Sequence, residues 1–383
     1  MQKNSFRFYS IVLSLVFSLW LCVPLFIDLL QLSPYVNVSK SENRVLAKRP
    51  VPHFALLDPY PSEYQIFYND HFPFRSGLLH GYAYINYFYF HKYSIPNGAV
   101  IGKSDWLFYA AKEREVYEGK LILLPEYIEN IVANLHARTD HLNKMGIPFY
   151  VVIVPMKSEV YAEFLPVYYR KSRQNIPDAV LEAIRKDTSI RLIDLKPALI
   201  EAKKKGQIFY KTDTHWNALG AYCAYKEIMN RLQRDFQRLA PMAYDDISFS
   251  TLHGNGGNLA AMMGLSEFLK EDYLIDQVKQ PMARDGKKAG YPPTPGFGYP
   301  DEYEQVKINF DTTLPTLLVI RDSYFTSLIQ FFSQHFSKSV YIFDAWKYKP
   351  NYDIIEKEKP DIVILEIVAT NLSDLIVADS KFN

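Results

Sequence analysis

Two short polar segments carry the residue types of nucleophilic catalysis. The apolar run Leu-Leu-Val-Ile at 317–320 leads straight into Arg321-Asp322-Ser323, and a helix-compatible stretch follows over 325–336. A serine in that position presents its hydroxyl near the positive end of a helix, where backbone N–H groups can hold an oxyanion. The same tripeptide also reads as a helix cap, with Asp322 or Ser323 satisfying the first amides. The second segment is Tyr-Lys-Thr-Asp-Thr-His-Trp at 210–216. An aspartate two residues ahead of a histidine can accept from the imidazole across a short turn. That bond fixes the ring tautomer and stabilises the imidazolium formed when histidine takes a serine proton. Asp213 and His215 read equally well as a capped helix with a surface histidine. Among the other histidines, His71 stands beside an acidic residue, Asp70.

The elements that must position these residues alternate in type. Helical patterns fall at 126–144, 178–186 and 217–232; apolar strand-like runs fall at 147–154, 190–193, 317–320, 340–343 and 362–368. Such alternation argues for an α/β fold, a parallel sheet with helices on both faces. Ligands in open sheets of this kind bind beyond the carboxyl ends of the strands, where Ser323 falls. Residues 254–304, with Gly-Asn-Gly-Gly-Asn and a Pro/Gly-rich stretch at 291–300, break the pattern and read as an insertion bordering a site or a long surface loop.

Residues 8–27 carry no charge and follow Lys3 and Arg7. As a helix they would cross about 30 Å of hydrocarbon. The run is longer than the core of a cleaved leader and lacks a small-residue cleavage site, which favours an uncleaved signal anchor. Lys40, Arg44, Lys48 and Arg49 follow the span and blunt the orientation argument; outward placement of the large trailing domain is expected. The expected division is a cytoplasmic head and transmembrane anchor at 1–31, an extended proline-rich linker at 32–62, and a catalytic domain at 63–383. The segment 64–93 is aromatic and too densely apolar for a solvated helix.

Composition excludes several classes. The formal net charge of +1 leaves no electrostatic footprint for nucleic acid. Only Cys22 and Cys223 are present, and Cys22 lies in the apolar run, which excludes a disulfide framework and a cysteine-rich zinc site. No GxSxG, HExxH, Walker or GxGxxG pattern occurs. Neither a metal nor a cofactor is expected. The 29 tyrosines and 25 phenylalanines suit grooves that stack on sugar rings, or simply aromatic core packing.

Thr-Asp-Thr-His-Trp at 212–216, with Leu-Leu-Val-Ile-Arg-Asp-Ser-Tyr at 317–324, resembles the alginate O-acetyltransferase AlgJ/AlgX-like family, a DHHW-type branch of the SGNH/GDSL hydrolase superfamily. The resemblance covers about residues 41–372, in the family's order. It includes SENR (41–44), DHFPFR (70–75), AVIGKSDWLFY (99–109), VPMKSEVY (154–161), GNLA (257–260) and KPDIVILEIV (359–368). It implies an SGNH-like domain that is circularly permuted, because the histidine motif precedes the serine. It also implies Ser323 as nucleophile, His215 as general acid/base and Asp213 as its orienting carboxylate.

The activity so implied is O-acetylation of an exported polysaccharide through an acetyl-serine intermediate. The acetyl group would come from a separate membrane-bound O-acyltransferase, since acetyl-CoA is absent outside the cytoplasm. The expected location is the cell inner membrane, single-pass, with the catalytic domain periplasmic or extracellular. The resemblance leaves room for one domain after the anchor, without the extra carbohydrate-binding module of some members. A carbohydrate acetylesterase and a non-catalytic glycan-binding subunit are the alternatives. Trp216, Tyr324, Arg321 and Asn371 are candidate substrate-binding residues, Asn371 as an oxyanion donor or a loop cap; Lys157 is a further candidate for an anionic sugar. Arg321 stands where ordinary GDSL enzymes have glycine, Ala369-Thr370 replaces a terminal Glu-Arg, and Asn258 replaces an aspartate.

Overall fold

A computed structural model describes residues 2–30, 46–52, 59–90, 98–110, 112–293, 295, 297–344, 347–348 and 350–376. The chain forms two units, residues 1–92 with 261–265, and residues 93–260 with 266–383.

The first unit contains helices Gln2–Leu29, Pro59–His71 and Arg75–Phe88. Residues 8–27 are helical, as expected of an anchor. Yet among the described residues no helix is long and apolar enough to cross a membrane, so the transmembrane expectation for 1–31 is not met by them. The linker expected at 32–62 ends early, because Pro59 already opens a helix; its residues 32–45 and 53–58, the SENR motif among them, lie outside the described residues. The aromatic segment is helical over most of its length, with Ile66, Leu78 and Tyr82 exposed, contrary to the reading that its apolar density forbids a solvated helix. Residues 91–93 lie outside the described residues.

The second unit is built on strands whose residues are apolar on both faces. Its strands are β1 (Ala99–Ile101), β2 (Leu107–Tyr109), β3 (Phe149–Val154), β4 (Arg191–Asp194), β5 (Ile247–Asn255), β6 (Lys270–Val278), β7 (Ala283–Asp285), β8 (Glu304–Asn309), β9 (Thr316–Arg321), β10 (Lys338–Phe343) and β11 (Ile362–Val368). All residues of β3 are buried. A strand buried on both faces needs cover on both. Tyr150 reaches Asp235, on the helix Ala218–Asp235, at 2.5 Å, and the neighbouring Phe149 and Val151 point to the opposite face.

Among the described residues the main sheet has seven strands in the order β4-β3-β11-β9-β10-β8-β7. The five from β4 to β10 are parallel. β8 pairs antiparallel with β10, and β7 antiparallel with β8, so the sheet is mixed where an all-parallel one was expected. The sequence hides this flank because β7 is short and exposed and β8 buries only alternate positions along most of its length. Residues 254–304 are likewise not a structureless loop. They include the end of β5, β6 and β7, and β5 and β6 pair as a hairpin. The expected helix at 325–336 is broken into 3-10 turns at Tyr324–Leu328 and Ser333–His335 around a short α-turn at Ile329–Phe332.

Candidate active site

Ser323 follows β9 at the carboxyl end of the parallel strands. In the run Arg321 to Phe325 it is the one exposed residue, its neighbours on both sides being buried. Asp322 holds this corner. Its Oδ1 accepts the Tyr324 N–H at 2.9 Å, and its Oδ2 accepts the Val368 N–H at 2.9 Å and the Tyr348 hydroxyl at 3.2 Å. The Asp322 N–H donates to Glu366 Oε2 on β11 at 2.8 Å. Carboxylate and amide thus tie the turn after β9 to the end of β11, and the serine side chain is left facing outward. No capping bond from the Ser323 side chain is present.

The Asp213–His215 segment is a closed turn. Phe209 and Trp216 form a β-bridge, the Tyr210 N–H donates to the His215 carbonyl at 3.2 Å, and the Asn217 N–H donates to the Ile208 carbonyl at 2.9 Å. Gly220 lets the following helix approach, since a Cβ there would sit 2.2 Å from the Ile208 carbonyl oxygen. Asp213 Oδ1 accepts both the His215 backbone N–H, at 2.9 Å, and ring Nδ1, at 2.7 Å. His215 Nε2 lies 2.8 Å from Ser323 Oγ.

The proton positions follow from the acceptor. A carboxylate only accepts, so Nδ1 carries the ring hydrogen, Nε2 presents its lone pair, and the serine hydroxyl donates to it. Burial alone would raise the Asp213 carboxyl. The hydrogen bond and charge of His215, with backbone N–H groups of Asn258 and His215, outweigh it and hold the group down at about 2.

Further contacts fix Asp213 in turn. Its Oδ2 accepts the Asn258 N–H at 2.8 Å. The Asn258 side chain accepts the Thr214 N–H at 2.9 Å and donates to Thr214 Oγ1 at 2.8 Å, so the asparagine that replaces the family's aspartate locks the turn through both ends of its amide. A Cβ on Gly257 would stand 2.7 Å from Asp213 Cβ and Oδ2. This position therefore tolerates no side chain without moving the carboxylate. Glu271 Oε2, on β6, accepts the Thr212 N–H at 2.7 Å and its hydroxyl at 2.8 Å.

The structure brings Ser323, His215 and Asp213 together and turns the expected substrate-binding residues inward. Trp216 is 2% exposed and donates Nε1–H to Ser327 Oγ at 2.7 Å. Tyr324 is 7% exposed, and its hydroxyl donates to the Thr214 carbonyl at 2.8 Å. Both rings support the turn, packed edge to face with each other, and offer no face to a sugar. Arg321 is fully buried. It donates to the Asp322 carbonyl and Thr326 Oγ1, each at 3.0 Å, and lies 4.5 Å from the centre of the Phe343 ring; burial draws it down to about 10.

Glu366, beside it, is pushed well above the usual carboxylate range by burial and by the neighbouring Asp322. Asn371 lies after β11, its Nδ2 donating to Tyr348 Oη at 2.9 Å and its Oδ1 accepting Lys112 Nζ at 3.1 Å; both ends of its amide are engaged within the protein. Lys157 is buried as well, with Nζ donating to three carbonyls, so it meets no sugar. Sequence reading missed Glu366, Glu271 and Gly257. A charged residue inside an apolar strand, as in Ile-Leu-Glu-Ile, was the available signal for Glu366. Among the described residues no cluster of three or more His, Cys, Asp or Glu side chains could hold a metal ion.

Residues 99–290 match a family described as "SGNH hydrolase-like domain, acetyltransferase AlgX". Sequence relatives include the probable alginate O-acetylase AlgJ of Pseudomonas putida, 29% identical over 47% of this chain and 44% of that protein. The protein of the same name from Pseudomonas aeruginosa is 28% identical over 41% and 38%. The matched stretch thus spans less than half the length of these relatives. Among solved structures, Bacillus cereus PatB1 superposes with a TM-score of 0.53 at 17% identity, covering 73% of this chain and 99% of that one. A DHHW family protein from Eubacterium siraeum gives 0.54 at 15%, covering 74% and 96%. At these identities the structural likeness concerns the fold.

Proposed function

The chain belongs to the SGNH hydrolase-like, AlgX-type acetyltransferase family, and on that premise we propose that it is an O-acetyltransferase acting on an exported polysaccharide through an acetyl-Ser323 intermediate. The observation that carries the proposal is the continuous relay from an exposed serine through His215 to a buried carboxylate. Ser323 Oγ attacks the acetyl carbonyl while His215 Nε2 takes the hydroxyl proton; the carbonyl π electrons move onto oxygen. The Ser323 N–H is the donor we assign to that oxyanion. Collapse breaks the bond to the donor's leaving oxygen, which takes the proton from His215. A sugar hydroxyl then gives its proton to Nε2, attacks the acetyl carbon and leaves as the acetyl ester, and Ser323 recovers its hydrogen.

Several parts of the proposal rest on the family resemblance and on the N-terminal sequence. The domain is circularly permuted, with its histidine motif ahead of the serine. Residues 1–31 supply a cytoplasmic head and a single membrane anchor, 32–62 a linker, and 63–383 a catalytic domain in the periplasm or outside the cell. The acetyl donor is a membrane-bound O-acyltransferase, because the reaction takes place where acetyl-CoA is absent. The acceptor is an alginate-like polymer, a class suggested by the names of the sequence relatives.

The test gives purified full-length protein p-nitrophenyl acetate with and without alginate oligosaccharides. Acetylated oligosaccharide identified by mass spectrometry supports transfer; hydrolysis at a rate no sugar changes makes the protein a carbohydrate acetylesterase. Polymer acetylation that persists in cells carrying Ser323→Ala overturns both enzymatic readings and leaves a glycan-binding subunit.

A further inference from the structure

The turn that carries Asp213 is gripped from two sides by buried charges that make no ion pair with each other. Lys157, 1% exposed, begins the helical turn Lys157–Val160 just beyond β3. Its Nζ donates to the carbonyls of Leu107 at 2.7 Å, Lys211 at 2.9 Å and Asp213 at 2.9 Å. Between those last two carbonyls, the Thr212 N–H and hydroxyl donate to Glu271 Oε2, and Glu271 is 5% exposed. The ammonium thus holds the Lys211 and Asp213 carbonyls and the carboxylate holds the Thr212 N–H, while the Thr212 carbonyl accepts the Leu259 and Ala260 N–H groups at 3.1 and 3.2 Å. The Trp106 and Phe108 rings lie 5.1 and 5.3 Å from the ammonium and close off the remaining space.

We propose that Lys157 and Glu271 form a charged clamp that positions the Asp213 carboxylate against His215, and that Lys157 acts through its three-fold donation to carbonyls. The inference rests on the reading of Ser323, His215 and Asp213 as the catalytic relay. An ammonium has three hydrogens and here finds three acceptors. A neutral amine has two, so loss of one proton removes one of these three bonds, although the Lys211 carbonyl keeps the Leu107 N–H at 2.9 Å. The charged groups facing Lys157 are Glu113, on the helix Lys112–Tyr117, with Asp213 and Glu271. Burial is the larger effect and draws the lysine from 10.5 down to about 7, while those three carboxylates oppose it. The clamp therefore loosens as the solution becomes alkaline.

The experiment follows sulfonylation of Ser323 by phenylmethanesulfonyl fluoride in the full-length protein. Labelling is located by peptide mass spectrometry, and its rate is measured from mildly acidic to alkaline pH. The expected wild-type rate declines on the alkaline side. Lys157→Met removes all three donations and lowers the neutral rate by at least about tenfold, the scale of a single buried hydrogen bond, and it abolishes the alkaline decline. Glu271→Gln keeps an oxygen for Thr212 and stays within about threefold of wild type, whereas Glu271→Leu falls about tenfold.

Wild-type labelling at Ser323 with unchanged rates and pH profiles in the variants overturns the clamp. Should Lys157→Met fail to fold, Glu271→Gln against Glu271→Leu decides, and equal rates for that pair overturn the clamp as well. Absence of any label on Ser323 in the wild type overturns the catalytic reading instead.

Discussion

Replacing Asp213 by asparagine tests the relay where its geometry is most constrained. The carboxylate accepts three hydrogen bonds, two from His215 on Oδ1 and one from the Asn258 N–H on Oδ2. Asparagine has one oxygen. If that oxygen faces His215, the amide NH2 meets the Asn258 N–H, and an unpaired buried donor costs about 1–3 kcal/mol. If the amide flips, its NH2 meets Nδ1. The ring then takes the other tautomer, and Nε2 carries a hydrogen toward Ser323 instead of a lone pair. In both orientations the imidazolium loses its counter-charge. The expected loss in kcat is on the order of 10³–10⁴-fold, the scale of a triad carboxylate, or about 4–5.5 kcal/mol.

Stability supplies a second readout of the same variant. The folded Asp213 carboxyl sits at about 2 against an ordinary 3.8. A depressed carboxyl contributes stability that is complete above its unfolded value and is lost as pH falls through its folded one. The gap corresponds to about 2 kcal/mol. The melting difference between wild type and Asp213→Asn should therefore be full above about pH 4 and close toward pH 2. The assay is p-nitrophenyl acetate turnover, with kcat and KM taken separately beside thermal melting. A folded variant that keeps more than about a tenth of wild-type kcat refutes the reasoning.

Two other substitutions probe the surroundings. Gly257→Ala puts a methyl group 2.7 Å from Asp213 Cβ and Oδ2; kcat should fall at least about tenfold while KM stays near wild type, because the acid is displaced and no binding surface is removed. Trp216→Phe removes the donation to Ser327, and Ser327 keeps its own bond to the Tyr324 carbonyl. The protein should melt with about 1 kcal/mol less stability and an unchanged KM for oligosaccharide; a raised KM would return Trp216 to the acceptor site.

The parallel half of the sheet was legible because burial on both faces writes itself as unbroken apolar runs. Ile-Val-Ile-Leu-Glu-Ile-Val is a strand over 362–368 with the bounds its composition gives. The antiparallel flank was not legible. β7 is short and exposed, and neither β5 nor β6 carries an unbroken apolar run or a regular alternation that would mark it as a strand. Ser323, His215 and Asp213 stood out by residue type and spacing, which a helix cap and a surface histidine explain equally well; the family resemblance singled them out, and their side chains do meet in the fold. The buried roles of Lys157 and Glu271 were not, since neither lies inside an unbroken apolar run as Glu366 does, and Lys157 read instead as a contact for an anionic sugar. Only three carbonyls converging from β2 and the 211–213 turn distinguish Lys157 from a solvated lysine.

The aromatic residues beside the triad carry the same lesson into function. Trp216 and Tyr324 were candidate sugar platforms by proximity in sequence, yet adjacency along a turn places alternate side chains on opposite sides of it. His215 needs one side to reach Ser323, which leaves the inner side to Trp216. Ser323 likewise needs the outer side after β9, and Tyr324 turns in to bond the Thr214 carbonyl. The residues flanking the relay thus brace its two turns against each other. Substitution of Trp216 or Tyr324 should accordingly alter turnover and stability before it alters affinity for sugar.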